Sequence, residues 1–136
     1  MFLKSKSKIL IQEKVTENIP KKILCVEDHE DTCELYKLLL SEYDFTFASS
    51  IAEALSLFKA GEYDLCIMDG RLSDGSGASL CRQMLEIKPD FPVVFISGLT
   101  RESDIEEARI AGAKEYLTKP CDTEKLQKIV KELIEK

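Results

Sequence analysis

Four short strand-like runs in this chain each end on residues that can carry chemistry. Ile23-Leu24-Cys25-Val26 stops at Glu27-Asp28, and Leu65-Cys66-Ile67-Met68 stops at Asp69. Val93-Val94-Phe95-Ile96 stops at Ser97-Gly98, and Glu115-Tyr116-Leu117-Thr118 stops at Lys119-Pro120. Near-continuous apolar runs of this length, bounded by polar and turn residues, read as strands buried on both faces. Such strands belong to parallel sheets, whose connecting helices cover both sides. In open sheets of that kind, ligands bind outside the carboxyl ends of the strands. Three acids, a hydroxyl and an ammonium therefore converge on one edge of one sheet. The stretch after Asp69, Gly70-Arg71-Leu72-Ser73-Asp74-Gly75-Ser76-Gly77, is rich in Gly and Ser. It reads as a loop that continues neither strand nor helix and whose backbone can approach a ligand.

The intervening segments read as helices. Asp31 with Glu34 has the spacing of an N-cap and its reciprocal partner, followed by Leu35, Leu38 and Leu39 on one face and an end near Glu42. Phe45 to Ala48 reads as a further short strand. Ser50 with Glu53 is a second capping pair, opening a helix from Ile51 to Lys59 that stops before Gly61. A helix from about Ala78 to Ile87 ends before Lys88-Pro89. Ser103 with Glu106 is placed as a cap for a helix closing at Gly112, and a strand from about Lys114 to Thr118 follows. Asp122 starts the last helix, whose stripe is Leu126, Ile129, Val130, Leu133 and Ile134. Strand and helix alternate five times with short connections, which predicts an α/β fold, a doubly wound five-stranded parallel sheet. Residues 1–20 precede this pattern as an arm or linker, with Lys4, Lys6 and Lys8 among serines and Ile11, Val15 and Ile19 at helical spacing. Residues 21–136 form one domain, long enough for a real core.

Composition narrows the function. A formal charge of -6 gives no support for a direct nucleic-acid reader. The apolar runs fall far short of the roughly 20 residues that a membrane helix needs. The Ile9-Leu10-Ile11 run is too short for a signal-peptide core. The cysteines Cys25, Cys33, Cys66, Cys81 and Cys121 are odd in number and contain no C-x-x-C pair. Cys25 and Cys66, inside predicted buried strands, read as small core residues of a reduced, cytoplasmic protein, and the spacing of the set is wrong for zinc.

Bare, the acids Glu27, Asp28 and Asp69 would repel one another. A hard divalent cation relieves this, and Mg2+ takes one or two carboxylates together with water and phosphate oxygens. Lys119 is a point charge suited to a phosphate or an acid, and the Ser97 hydroxyl can donate to an anionic oxygen. These parts make an electrostatic clamp for a transferring phosphoryl group, with Asp69 able to hold it as an aspartyl phosphate.

On these residues the chain resembles the response-regulator receiver domains of two-component signal transduction, the CheY-like family. The matching positions are Glu27-Asp28, Asp69, Asp74-Gly75, Gly77, Ser97 and Tyr116-x-x-Lys119-Pro120, and the resemblance spans about Lys21 to Lys136. It implies a flavodoxin-like sheet with strand order 2-1-3-4-5. It further implies that Asp69 is the phosphoacceptor and that Lys119 and Ser97 assist it. The metal ligands would be Asp28 directly, Glu27 through water, Asp69 and the backbone carbonyl of Arg71. Ser97 and Tyr116 would form the switch. The implied donor is a histidine kinase or histidine phosphotransfer protein, and the implied output surface is the face of helix four, strand five and helix five. That face would control a protein partner or a phosphorylation-dependent homodimer. The chain would catalyse only its own phosphorylation and dephosphorylation and would not be an enzyme on an external substrate.

Some positions depart from the family pattern. Ser73 stands where Pro is usual, which predicts a looser loop, and Gly98 where Ala is common, which predicts easy movement. Cys121 replaces the usual Phe, and Arg71 and Leu99 occupy positions that tune the phosphoryl lifetime. Asp74 reads as a plain turn residue and His29 as a solvated loop residue. Two other functions use similar parts. A Mg2+-dependent phosphohydrolase would need a second acid two residues after its nucleophile, where this chain has Arg71. A flavin-binding module would need a Ser-, Thr- or Gly-rich loop after the first strand, where this chain has Glu27-Asp28-His29-Glu30-Asp31.

Overall fold

The computed structural model describes residues 19–135. The expected arm lies outside the described residues, apart from Ile19 and Pro20. In chain order the elements are β1 (Lys22–Val26), α1 (Glu30–Leu39), β2 (Asp44–Ala48), α2 (Ile51–Ala60) and β3 (Leu65–Met68). They continue as α3 (Gly77–Ile87), β4 (Val93–Ser97), α4 (Glu102–Ala111), β5 (Glu115–Thr118) and α5 (Thr123–Glu135). Between β3 and α3 the chain makes a small antiparallel ladder, Arg71–Leu72 against Gly75–Ser76. The loop expected there is thus a hairpin. The main sheet is parallel throughout, in the order β2-β1-β3-β4-β5, the expected 2-1-3-4-5 arrangement.

Alternation along each strand divides the core into two layers, because successive side chains leave a strand on opposite faces. Leu24, Val26, Cys66, Met68, Val93 and Phe95 pack with α2, α3 and α4. Ile23, Cys25, Leu65, Ile67, Val94 and Ile96 pack with α1 and α5. This explains why β3 is apolar throughout, β1 from Ile23 to Val26 and β4 from Val93 to Ile96. Phe58 of α2 is 2% exposed and meets Phe91 edge-on, with ring centroids 4.9 Å apart. Phe58→Ala should cost about 3–5 kcal/mol, measured as the change in unfolding free energy by urea titration; a loss below 1 kcal/mol would mean that the core closes over the gap. All five cysteines are unpaired thiols, and only Cys121 is not buried. Among the described residues no helix is long and apolar enough to cross a membrane.

Local signals held unevenly. Ser50 Oγ accepts from the Glu53 N–H at 3.2 Å, while Glu53 Oε1 accepts from the Ser49 N–H at 2.9 Å, one residue before the expected cap. Asp122 Oδ1 accepts from the Lys125 N–H at 3.1 Å, as its place before α5 predicts. Of the expected face of α1 only Leu39 packs against the core: Leu35 is 49% and Leu38 75% exposed, and the helix buries Cys33 and Tyr36. Both sets have helical spacing, and the seating of Tyr36 on the sheet decides between them. The helix also begins at Glu30 with His29 as N-cap, so Asp31 lies in the first turn, where its charge suits the helix dipole. Likewise α4 begins after Arg101, whose side chain pairs with Asp104 at 3.1 Å, and Ser103 is not its cap.

Candidate functional site

Sheet register carries the key residues one step past the strand ends. The Glu27 N–H donates to Ala48 O at 2.9 Å, the Asp69 N–H to Val26 O at 3.0 Å, and the Lys119 N–H to Ser97 O at 2.9 Å. Each residue is therefore positioned by the neighbouring strand. The structure brings Glu27, Asp28, Asp69, Ser97 and Lys119 to one edge, as the strand ends predicted. Asp28, His29, Asp69, Arg71, Ser97 and Lys119 border an open cavity of about 410 Å3.

Within this edge the charges are unevenly paired. Lys119 Nζ donates to Glu27 Oε1 at 2.7 Å and stands 3.6 Å from Asp69 Oδ2. Burial opposes ionisation of Glu27, but Lys119 and His29 outweigh it and hold the carboxyl below the ordinary glutamate range. Burial and then the Glu27 charge push the Asp69 carboxyl up, against the pull of Lys119. Burial works against the Lys119 ammonium too, yet its two acidic neighbours raise its pKa. His29, 72% exposed in its side chain, places Nδ1 3.1 Å from both Glu27 Oε2 and Asp28 Oδ1. It is thus a member of the acidic cluster, drawn upward in pKa first by Glu27 and then by Asp28. Its position next to Glu27-Asp28 in the sequence was the available signal.

The hairpin after Asp69 closes with the Gly77 N–H donating to Gly70 O at 3.0 Å. Its tip is held from outside. Asp74 Oδ1 accepts from the Ile51 N–H at 2.8 Å, and Oδ2 from the Ala52 N–H at 3.1 Å. These bonds hold the Asp74 carboxyl below the usual range, the Ile51 bond most of all. Asp74 is therefore no plain turn residue but a long-range cap of α2, and the loop around Ser73 is tethered instead of loose.

Ser97 is fully buried, and its Oγ accepts from the Leu99 N–H at 3.1 Å. It faces Gly70: a Cβ there would stand 2.6 Å from Ser97 Oγ. Tyr116 stacks on Phe95, with centroids 5.7 Å apart, and its hydroxyl donates to Leu99 O at 2.5 Å. Leu99 is thus gripped by Ser97 at its N–H and by Tyr116 at its carbonyl. A cavity of about 350 Å3, bordered by Leu72, Phe95, Leu99, Ala108 and Tyr116, already exists beneath this loop. A Cβ at Gly98 would meet nothing within 4 Å, so that position does not require glycine.

Residues 23–131 match the family model of the response regulator receiver domain. The chain belongs to the response regulator receiver domain family. It is 35% identical over 111 residues to the response regulator protein PilR of Pseudomonas aeruginosa, covering 80% of this chain and 25% of that one. Identity to the DNA-binding transcriptional activator DevR/DosR of Mycobacterium tuberculosis is 32% over 116 residues, covering 82% and 54%. The chain thus spans about a quarter to a half of the length of these curated relatives. Among solved structures it resembles a two-component response regulator from Clostridium difficile, with TM-score 0.80 and 29% identity over 85% of this chain and 97% of that one. The receiver domain of Francisella response regulator 1452 superposes with TM-score 0.78 and 27% identity, covering 85% and 97%.

A receiver is a signalling module and not an enzyme of the usual kind. This receiver's acidic cluster fits a metal site of that family. Glu27, Asp28, His29 and Asp69 each place a ligand atom so that all lie within 4.8 Å of one another. Three of the four donors are carboxylates, the ligand type that hard divalent cations prefer. Burial and then the Glu27 charge disfavour an ionised Asp69, and a cation at this edge would offset both.

Proposed function

We propose that this receiver is a phosphorylation switch. Asp69 accepts a phosphoryl group from the phosphohistidine of a histidine kinase or histidine phosphotransfer protein. An Asp69 carboxylate oxygen attacks phosphorus, the phosphorus–nitrogen bond breaks, and the imidazole leaves. Glu27, Asp28, Asp69 and the Arg71 carbonyl would hold Mg2+, which would neutralise the acids and polarise the phosphoryl oxygens. The observation that carries this reading is the shared ammonium. Lys119 is bonded to Glu27 and only 3.6 Å from Asp69, so a small displacement takes it to an oxygen on the modified aspartate.

Transmission follows from the grip on Leu99. If Ser97 donates to the phosphoryl group, its hydroxyl turns away from the Leu99 N–H. Leu99 then keeps only its bond from Tyr116, and the pair can settle into the cavity beneath them. That repacking shifts a population between two arrangements of the face made by α4, β5 and α5. The face then engages a downstream protein partner, or a second copy in a phosphorylation-dependent homodimer, without direct nucleic-acid contact by this domain. Residues 1–20 would join residues 21–136 as an arm or linker, and the setting is cytoplasmic.

Beryllofluoride with Mg2+ mimics the phosphoryl group and tests the switch by amide chemical shifts. Residues about 97 to 120 should move far more than the body of α2. Shifts spread evenly over both regions, or restricted to the acidic edge, would refute transmission through Leu99 and Tyr116.

A further inference from the structure

We infer that Asp74 is a positioning residue, which holds the hairpin after Asp69 in the geometry that metal and phosphoryl binding require. The inference rests on the reading of the site given above, because it concerns how the Arg71 carbonyl is kept in place. The hairpin ladder is only two residue pairs long, Arg71 with Ser76 and Leu72 with Gly75. A two-stranded hairpin of that size has little stability of its own in water. Leu72 anchors its first strand by burial, but Ser73, Asp74 and Gly75 at the tip are exposed. What holds the tip is the Asp74 carboxylate on the Ile51 and Ala52 N–H groups, which lie in another β–α unit. Those two N–H groups can donate to Asp74 because the first turn of a helix leaves them without an intrahelical acceptor, while Ser50 and Glu53 cap the Glu53 and Ser49 N–H groups. Gly75 permits the arrangement. Its φ is +149°, and a Cβ there would come within 2.8 Å of Ile51 Cδ1. The tether therefore fixes one end of the hairpin, and the Gly77–Gly70 bond fixes the other. Arg71 lies between them. A carbonyl ligand on an untethered hairpin would have to be ordered at each binding event, at an entropic cost.

The test compares Asp74→Ala, Asp74→Asn and Glu53→Ala. Glu53→Ala removes a cap from the same helix end but leaves the tether intact. Asp74→Ala should raise the Mg2+ dissociation constant, measured by calorimetry, about tenfold, the lower end of what loss of an outer-shell partner costs. It should also speed hydrogen exchange at the Gly77 amide. Asp74→Asn keeps one acceptor oxygen and should recover part of the affinity. Glu53→Ala should lower the melting temperature as Asp74→Ala does, yet keep the parental Mg2+ affinity. Parental affinity in Asp74→Ala, or an equal loss in Glu53→Ala, would overturn the positioning role and leave Asp69 as phosphoacceptor untouched. A parent protein that binds no Mg2+ would instead overturn the reading of the site, and the positioning role with it.

Discussion

The Asp69→Asn variant will take no phosphoryl group from acetyl phosphate in Mg2+, and in EDTA it will melt higher than the parent protein. The first effect follows from the loss of the nucleophilic carboxylate oxygen, since an amide of the same volume cannot replace it. The second follows from the upward shift of Asp69, caused by burial and by Glu27. A carboxyl whose pKa is higher in the folded than in the unfolded state contributes stability that is fully present below its unfolded value. It loses that contribution as pH rises through the folded value. At neutral pH the charged Asp69 therefore opposes folding, and the neutral amide removes that opposition. The melting temperature should therefore rise in the variant, with little further gain on adding Mg2+, because a carboxylate ligand has gone. Intact-mass measurement and a thermal melt check both halves. One added phosphoryl group in the variant would show that another residue is modified. A lower melting point in EDTA would show that Asp69 is compensated better than its surroundings indicate.

Gly77→Ala is expected to disable the site while Gly98→Ala leaves it intact. A Cβ at Gly77 would lie 2.1 Å from the carbonyl oxygen of Asp69 and 3.0 Å from Met68 Cγ and Phe95 Cε2. The first of these is a backbone atom and cannot turn aside as a side chain can. Relief requires α3 or the end of β3 to move, and the latter carries the nucleophile with it. Overpacking of this kind costs about 1–3 kcal/mol or more. A displacement of about 1 Å at a reacting group can slow its reaction about 100-fold. The phosphorylation rate with acetyl phosphate, followed beside an urea titration, should fall by about that factor in Gly77→Ala. Gly98→Ala should match the parent in both measurements, since nothing stands within 4 Å of the added carbon. Equal behaviour of the two variants would mean that the turn into α3 yields without moving Asp69.

Much of this was legible in the sequence because the signals were local. Apolar runs ending on Glu27, Asp69 and Ser97 specify strands and put those residues at their ends, since a strand covered on both faces tolerates polar residues only where it leaves the core, whereas the edge strand before Lys119 buries only Leu117 and exposes Glu115 and Thr118. The Ser50 cap and the α5 stripe of Leu126, Ile129 and Val130 were legible for the same reason, each resting on residues within one or two turns of helix. Tertiary structure decided what depends on distant partners. The buried face of α1 went to Tyr36 over Leu35 and Leu38, because two helical phases fit the sequence and only one fits the sheet. Lys119 chose Glu27 over Asp69 as its closer partner across 92 positions of chain. Asp74 found the first turn of α2 22 and 23 residues upstream, a contact that no local pattern encodes because hairpin and helix meet only once the sheet has assembled. The acidic edge can thus be read from strand ends alone. The pairing of its charges and the tether of its hairpin arise from parallel β–α units packed side by side, which bring groups distant in the chain within hydrogen-bonding reach.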